Sequence, residues 1–144
     1  MKTILNISDA AAIAFHAAVM LAEHTQRPLR TPEIAGFLEI SPAHLSKVMQ
    51  RLAKAGIVCA TRGPSGGFTL RKKPVQVKLG DIYQAIEGSY RASRCLFGEP
   101  RCLKSNCFLG RFIDYTDNAF RKLLNKTLSD AAASGISRNL KNRI

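Results

Sequence analysis

The sequence predicts a mainly α-helical chain with one small β-hairpin, arranged as a winged helix-turn-helix followed by a long dimerisation helix. Three observations predict this fold: two similar helix starts close together, a Gly-rich turn between two short apolar stretches, and a long helical stripe of apolar residues. The 144 residues suffice for one domain or for a small domain with an appendage. We divide them into a winged helix-turn-helix (1–75), a cysteine loop with a dimerisation helix (76–128) and a basic, disordered tail (129–144).

The first predicted element is a helix over residues 9–25. Ala, Leu and Met dominate this stretch and favour a helix, and either Ser8 or Asp9 can cap its first turn. Its Ala-rich surface permits neighbouring elements to pack closely.

Two further helix starts follow, each a hydroxyl residue before a proline. We expect Thr31 to cap a helix over residues 32–38, and Ser41 to cap a helix from Pro42 to about Ala55. The second helix places its apolar residues on one face and ends at a glycine (Leu45, Val48, Met49, Leu52 and Gly56). Two short helices joined by a tight turn are typical of a helix-turn-helix, whose second helix reads DNA.

A β-hairpin is expected next, with strands over residues 57–61 and 68–71. The turn between them is rich in glycine, so its backbone can approach a sugar-phosphate wall closely. Arg62 stands at the start of this turn and could enter a minor groove, where negative potential is concentrated. A hairpin with one surface arginine is the alternative, but the neighbouring helix-turn-helix favours a wing.

The second half begins with a polar linker around Pro74 and a short amphipathic helix over residues 79–87. A loop over residues 88–106 leads to a long helix from about Cys107 to Asn125, whose apolar positions recur every three or four residues. Because a domain of this size already has a core, the further stripe predicts a partner helix and a homodimer. The alternative is that this helix packs only on its own domain.

The net charge of +12, from 22 Lys and Arg against 10 Asp and Glu, indicates a polyanionic partner. Aromatic residues are 7% and Trp is absent, which disfavours stacking on single-stranded bases. The predicted helix-turn-helix favours double-stranded DNA as the partner. No apolar run approaches membrane-spanning length and the start lacks a signal-peptide pattern, so we expect a cytoplasmic protein. No catalytic constellation or small-molecule substrate is suggested. A protein-interaction adaptor is the rival non-enzymatic class.

The recognition helix offers a set of polar side chains at its N-terminal end. Ala43 suits a thymine methyl group, while the neighbouring polar residues suit hydrogen bonds to base edges. Ser41 and Thr31, at helix starts, could hold phosphates through backbone N–H groups. With the wing included, the candidate DNA contacts are Thr31, Ser41, Ala43, His44, Ser46, Lys47, Gln50, Arg62, Ser65 and Gly66.

Three cysteines, Cys95, Cys102 and Cys107, lie within thirteen residues. Nearby cations (Arg94, Arg101 and Lys104) and the predicted helix start at Cys107 both favour thiolates. Thiolates bind soft metals and iron–sulfur clusters, and they react with oxidants. Four interpretations remain open: an iron–sulfur site, a thiol or disulfide switch, a zinc site, or cysteines without a function. Three thiolates do not complete a four-ligand site, so a fourth ligand must come from elsewhere. Cys59, in a predicted strand, is interpreted as a small core residue, although it is one candidate ligand.

Four segments together resemble the Rrf2 family of bacterial transcriptional regulators, of the IscR, NsrR and RirA type. They are Ser41–Leu45 in the recognition helix, Arg62–Phe68 in the wing, Leu79–Ile82, and the cysteine loop, within a match over about residues 1–128. The resemblance implies a homodimeric winged-helix protein whose long helix forms the dimer interface. It also implies a repressor that binds a palindromic operator and senses redox state, nitric oxide or iron.

The resemblance also implies that Cys95, Cys102 and Cys107 hold a 2Fe–2S or 4Fe–4S cluster. IscR-like members take a fourth ligand from a His three residues after the last Cys, but Gly110 stands there. NsrR-like members use an Asp at the start of the first helix, donated across the dimer, and Asp9 matches that place. We therefore predict Asp9 as the fourth ligand, the alternative being a simple helix cap. The spacing of six and four residues between the cysteines departs from the more usual five and five.

Overall fold

The computed structural model describes residues 7–92, 94–97, 99 and 107–135. Six α-helices and one antiparallel hairpin within these ranges confirm the predicted fold class. In chain order the elements are α1 (Asp9–Glu23), α2 (Thr31–Leu38), α3 (Pro42–Lys54), β1 (Val58–Thr61), β2 (Gly67–Leu70), a 3-10 turn (Pro74–Gln76), α4 (Leu79–Glu87), α5 (Gly110–Asn125) and α6 (Leu128–Ala133). In the same part of the chain, no helix is long and apolar enough to cross a membrane.

The core is built around α1, which is buried along most of its length. Four of its buried residues are alanines (Ala11, Ala14, Ala17 and Ala18). Their small side chains allow α3, α4 and α6 to approach α1 closely. The same apolar cluster includes Leu45 and Met49 of α3 together with Ile82 of α4. The helix-turn-helix and the elements after residue 75 therefore share one core.

The helix-turn-helix has one cap as predicted and one that differs. Ser41 caps α3, since its hydroxyl accepts a hydrogen bond from the His44 N–H at 3.2 Å. The prediction that Thr31 caps α2 is wrong, because Thr31 is the first helical residue and Arg30 is the N-cap. The Glu33 carboxylate reaches back and accepts from the Arg30 N–H at 2.8 Å, which stabilises this end.

The long helix begins later than predicted, at Gly110 rather than near Cys107. Cys107 lies in the preceding turn, where its carbonyl accepts from the Gly110 N–H at 3.0 Å. The first turn of α5 therefore does not include the cysteine, and the dipole argument for a thiolate at Cys107 is weakened, because that field decays within about one turn. The first helix is also shorter than predicted, since α1 ends at Glu23.

The predicted tail contains a helix, so its assignment as disordered is wrong for residues 129–133. Thr127 caps α6 by accepting from the Asp130 N–H at 3.1 Å, and the Asp130 carboxylate accepts from the Thr127 N–H at 2.8 Å. Leu128 is fully buried, and its N–H donates to the Val77 carbonyl at 2.8 Å. The capping box Thr127–Asp130 was a sequence signal for this helix. Residues 136–144 of the predicted tail lie outside the described ranges.

Candidate nucleic-acid interface and cysteine loop

The recognition helix α3 buries one face and exposes the other. Leu45, Val48, Met49 and Leu52 all lie in the core. The candidate contacts Ser41, Ala43, His44, Lys47 and Gln50 are exposed, whereas Ser46 is half-buried. The N-terminal end of α3 thus exposes a small apolar side chain, an imidazole, an amine and an amide. These groups can make the hydrogen bonds and methyl contacts by which a helix reads bases in a major groove.

The wing is the antiparallel hairpin of β1 and β2, whose register runs from Val58 opposite Leu70 to Thr61 opposite Gly67. Arg62 and Ser65 are exposed in its turn. Gly66 is buried, and a Cβ there would overlap the Thr61 carbonyl oxygen. Its N–H donates to the Gly63 carbonyl at 3.0 Å, so Gly66 shapes the turn with a hydrogen bond inside the chain.

Near the turn of the wing, strand β2 pairs with the segment that precedes α2. The Leu29 N–H donates to the Phe68 carbonyl at 3.0 Å, and the Phe68 N–H donates to the Leu29 carbonyl at 2.8 Å. Gly67 makes this approach possible, because a Cβ there would lie 2.5 Å from the Leu29 carbonyl oxygen. A shallow depression between the wing and the start of α2 is lined by Arg30, Thr31, Pro32, Gly63, Pro64 and Gly66, among others.

A salt bridge beside α2 affects the candidate phosphate site at Thr31. Arg27 Nη2 lies 2.7 Å from Glu33 Oε1. The hydrogen bond from Arg27 lowers the pKa of the Glu33 carboxyl, so it stays ionised at neutral pH. Thr31 itself is half-buried. A phosphate at this helix end would therefore meet a carboxylate as well as N–H groups.

Sequence reasoning missed the tie between α3 and α4. The Arg51 guanidinium on α3 donates to the Ile86 carbonyl at the end of α4. Nearby, the Glu87 carboxylate accepts from both the N–H and the hydroxyl of Ser8, the N-cap of α1. The last turn of α4 thus contacts the recognition helix and the start of α1. No sequence period could indicate these long-range polar contacts.

Two of the three loop cysteines lie in the described ranges. Cys95 is half-buried, Cys107 is exposed, and both are thiols. Cys102 lies outside those ranges. Among the described residues, no three His, Cys, Asp or Glu side chains are grouped so that they could hold a metal ion. The expectation that Cys59 is a core residue is wrong, because it is half-buried in β1 opposite Thr69 and outside the core cluster.

Asp9 is exposed as the first residue of α1. The cap of this helix is Ser8, whose hydroxyl accepts from the Ala11 N–H at 3.2 Å. Ser8 therefore caps α1, and the alternative that Asp9 is only a helix cap is wrong.

An aromatic cluster fixes the chain between α4 and Cys95 to α5. The ring centroids of Tyr83, Tyr90 and Phe120 lie 5.0 to 5.9 Å apart in edge-on contacts. The Tyr90 hydroxyl donates to Asp117 at 2.8 Å, and Asp117 pairs with Arg121 at 2.9 Å. Burial, and then the hydrogen bond to Asp117, raise the pKa of Tyr90 to about 12. The α5 periodicity indicated Phe120, but no pattern indicated Tyr90.

Large apolar side chains remain exposed on and just before α5. Phe108 is 91% exposed, Tyr115 73% and Phe112 54%. Ile113 and Phe120 are buried on a different side of the helix. Apolar side chains of this size rarely stay exposed as a group unless they meet another surface.

A family model described as Rrf2, iron-dependent transcriptional regulator, matches residues 7–134. This chain belongs to the Rrf2 family. The resemblance carried by the recognition helix, the wing and the cysteine loop is confirmed, as is the expectation that the chain is not an enzyme. As a member of the Rrf2 family it is a DNA-binding transcriptional regulator.

Curated relatives include a protein of Aquifex aeolicus whose name describes an HTH-type transcriptional regulator, 35% identical over 66% of this chain and 66% of its own length. IscR of Aliivibrio salmonicida is 33% identical over 62% of this chain and 57% of its own length. Protein aau3 of Rhizobium meliloti is 32% identical over 72% and 68%. The chain thus spans 57% to 68% of the length of these three relatives.

Solved structures share the fold over most of the chain. CymR of Bacillus subtilis, described as the global cysteine regulator, superposes with a TM-score of 0.72 at 26% identity and covers 90% of this chain and 98% of its own. An oxidized form of Staphylococcus aureus CymR gives 0.70 at 26% identity over 89% and 96%. IscR of T. potens gives 0.67 at 22% identity over 97% and 92%, which supports the fold alone.

Proposed function

We propose that this Rrf2-family chain is a homodimeric repressor that binds a palindromic operator in double-stranded DNA and senses redox state, nitric oxide or iron through its cysteine loop. The observation that carries the DNA-reading part is the exposed polar end of α3 beside a wing that carries Arg62. Both lie on elements that share one core, so their relative placement is set before DNA arrives.

In this proposal α3 enters the major groove and the wing lies over the adjacent minor groove. Lys47, His44 and Gln50 would donate or accept hydrogen bonds at base edges, and Ala43 would contact a methyl group. Arg62 would enter the minor groove, while Ser65 lies beside a phosphate. The Ser41 side chain is already engaged with the His44 N–H, so its contribution to a phosphate site would come through backbone N–H groups.

Selection of bound sequences from a random DNA pool, followed by titration at several salt concentrations, tests the DNA-reading part. A palindromic site and a steep decrease of affinity with salt are expected. Gln50→Ala should relax preference at one base pair in each half-site, whereas Arg62→Ala should weaken binding mainly through the minor groove. Binding without sequence preference would contradict the assignment of α3 as the reading helix.

The dimer is proposed to form through the exposed side of α5. Phe112 and Tyr115 lie three residues apart on α5, the spacing of one helical face that can pack against a second copy, and Phe108 is exposed just before the helix. Sedimentation of wild type and of Phe112→Glu tests this, with Val75→Glu as a control because Val75 is exposed elsewhere. The α5 variant should sediment as a monomer and the control as a dimer. A monomeric wild type would contradict the proposal.

The cysteine loop fits an iron–sulfur cluster by the chemistry of its donors. Cys95 and Cys107 are thiols at the two sides of the loop, and Cys102 lies between them in the sequence. Asp9 is exposed at the start of α1, and Ser8 rather than Asp9 caps that helix. In this proposal Asp9 of one protomer is the fourth ligand of the cluster held by the other protomer. A cluster held there would supply iron that reacts with nitric oxide or oxygen. The family description and the IscR relatives support this choice.

The contacts at the end of α4 offer a route from the loop to the DNA-reading helix. The loop begins directly after Gly88, and the preceding turn holds Arg51 of α3 and Ser8 of α1. A change in the loop that moves this turn would move both contacts together. The spacing of the two recognition helices in a dimer would then change, and with it the affinity for a palindromic site.

Anaerobic purification with a visible spectrum and an iron and sulfide assay tests the cluster. A coloured protein with about one cluster per chain is expected. Cys102→Ala should remove the absorbance and change operator affinity, while Cys59→Ala, the matched control, should leave both intact. Unchanged operator binding by Cys102→Ala would rule out control by the loop.

A cluster-free thiol or disulfide switch is the second candidate. The observation in its favour is that a structural relative of 26% identity, Staphylococcus aureus CymR, is described in an oxidized form. Mass spectrometry of anaerobically purified protein separates the two proposals. A metal-free protein with three reduced loop thiols, which gains a disulfide on oxidation, would favour the switch. It would leave the DNA-reading proposal intact.

A further inference from the structure

Arg30 joins the start of α2 to the tip of the wing. It is the N-cap of α2, it is exposed, and its guanidinium Nη2 donates to the Pro64 carbonyl in the turn of the hairpin. Pro64 lies two residues from Arg62 in the same turn. The contact spans thirty-four positions of sequence, so it cannot arise from local structure.

The turn of the wing, residues 62–66, lies beyond the last pair of the hairpin ladder. The ladder contains four residue pairs and ends at Thr61 and Gly67, and Leu29 pairs with Phe68, one residue inside that end. None of these pairs includes a turn residue, and a two-stranded hairpin is only marginally stable in water, so the turn is expected to fluctuate unless it is tied down. Arg30 supplies a tie to the turn, and it starts from the helix-turn-helix itself.

We propose that Arg30 is a positioning residue for DNA reading: its contact with Pro64 fixes the wing tip, and with it Arg62, relative to α2 and α3. The proposal rests on the proposed contact between the wing and DNA. The planar guanidinium suits this role, since its fixed donors hold a carbonyl in one orientation, whereas an amine on a flexible stem holds it loosely. Without the tie, Arg62 would be ordered only when DNA binds, and affinity would decrease.

Hydrogen exchange on the DNA-free protein tests the positioning step without reference to DNA. Arg30→Gln should speed amide exchange at Gly63, Ser65 and Gly66 by about tenfold, the loss expected for one hydrogen bond from a charged donor. Arg27→Gln is the matched control, because it removes the same charge three residues away, where Arg27 pairs with Glu33. Equal exchange in wild type and Arg30→Gln would overturn the proposal, as would equal acceleration in both variants.

A double-mutant cycle with Arg62→Ala tests whether Arg30 acts through the wing. Arg30→Gln alone should weaken operator binding by about tenfold, and it should have little further effect once Arg62 is removed. Arg30→Lys, which keeps the charge, should give intermediate exchange and intermediate affinity. Independent, additive losses would mean that Arg30 contacts DNA directly, and this would overturn the positioning role. Full affinity in Arg62→Ala alone would instead contradict the proposed wing contact and leave the exchange result to judge Arg30.

Discussion

Two regions of this chain are built differently: the head, which consists of α2, α3 and the hairpin, and the loop end, which consists of α5 and the described residues between α4 and α5. In the head, α3 buries Leu45 and Met49 completely, and strand β2 pairs with Leu29 through two backbone hydrogen bonds. At the loop end, α5 packs mainly on α4 within the described chain, and Phe108 before it is 91% exposed. The head therefore buries its large apolar side chains within one chain, whereas the loop end leaves several of them exposed.

The difference explains which region can be predicted from one sequence. In a region that completes its own core, the buried residues recur with a helix or strand period, and this period predicts the elements. A region whose partner is another chain or a metal shows only half of its contacts in one chain. Substitutions in each region can test whether this division holds, beginning with the shared core on which both regions depend.

The largest effect is expected at Leu128, in a helix that continues into the segment expected to be a disordered tail. The Leu128 side chain is fully buried, so Leu128→Ala should destabilise the fold by about 2–5 kcal/mol through lost burial and a cavity. Val75→Ala is the control, because Val75 is 61% exposed and should change stability by less than about 0.5 kcal/mol. Urea unfolding measures both. Equal stabilities would mean that α6 does not belong to the core.

The next largest effect is expected where the wing packs against Leu29, in the segment before α2. Gly67 has φ +152° and Gly63 has φ +103°, but a Cβ added at Gly67 would lie 2.5 Å from the Leu29 carbonyl oxygen, whereas one at Gly63 would point into open space. Gly67→Ala should therefore cost about 2–3 kcal/mol, whereas Gly63→Ala should cost about 1 kcal/mol for backbone strain alone. Thermal unfolding at one protein concentration compares them. A larger loss at Gly63 would mean that the crowding at Leu29 is relieved cheaply.

Much of the head could be predicted from the sequence because its signals are local. Ser41-Pro42 starts α3, Gly56 follows its end, and the Gly-rich turn lies between the two strands. The prediction that Thr31 caps α2 failed because Arg30 is the N-cap. The Arg30 N–H donates to the Glu33 carboxylate, and this contact outweighed the usual preference for a hydroxyl side chain at the cap.

The rest could not be predicted because it depends on contacts far apart in sequence. The Arg51 contact with Ile86 and the Tyr90 contact with Asp117 join residues separated by 35 and 27 positions. No periodic pattern encodes such pairs. The α6 helix is a different case, since its capping box was present in the sequence and was outweighed by the polar, basic composition that follows it.

The smallest effect tests how firmly the loop end is tied to α5. Tyr90→Phe removes the hydrogen bond to Asp117 but keeps the aromatic contacts, so it should cost about 0.5–1.5 kcal/mol at neutral pH. The folded-state pKa of Tyr90, about 12, lies above its ordinary value of 10.0. The unfolded chain therefore loses this proton first as pH rises. The stability that Tyr90 contributes is fully present below pH 10 and is lost as pH approaches 12.

Spectroscopic titration of tyrosinate in the folded protein, followed by unfolding of wild type and Tyr90→Phe across the same alkaline range, measures both quantities. Because Lys side chains also titrate in this pH range, the quantity to compare is the difference in unfolding free energy between wild type and Tyr90→Phe. The stability advantage of wild type should shrink as pH rises. An advantage that stays constant would mean that Tyr90 titrates alike in both states, and that the start of the cysteine loop is held to α5 by ring contacts rather than by Asp117.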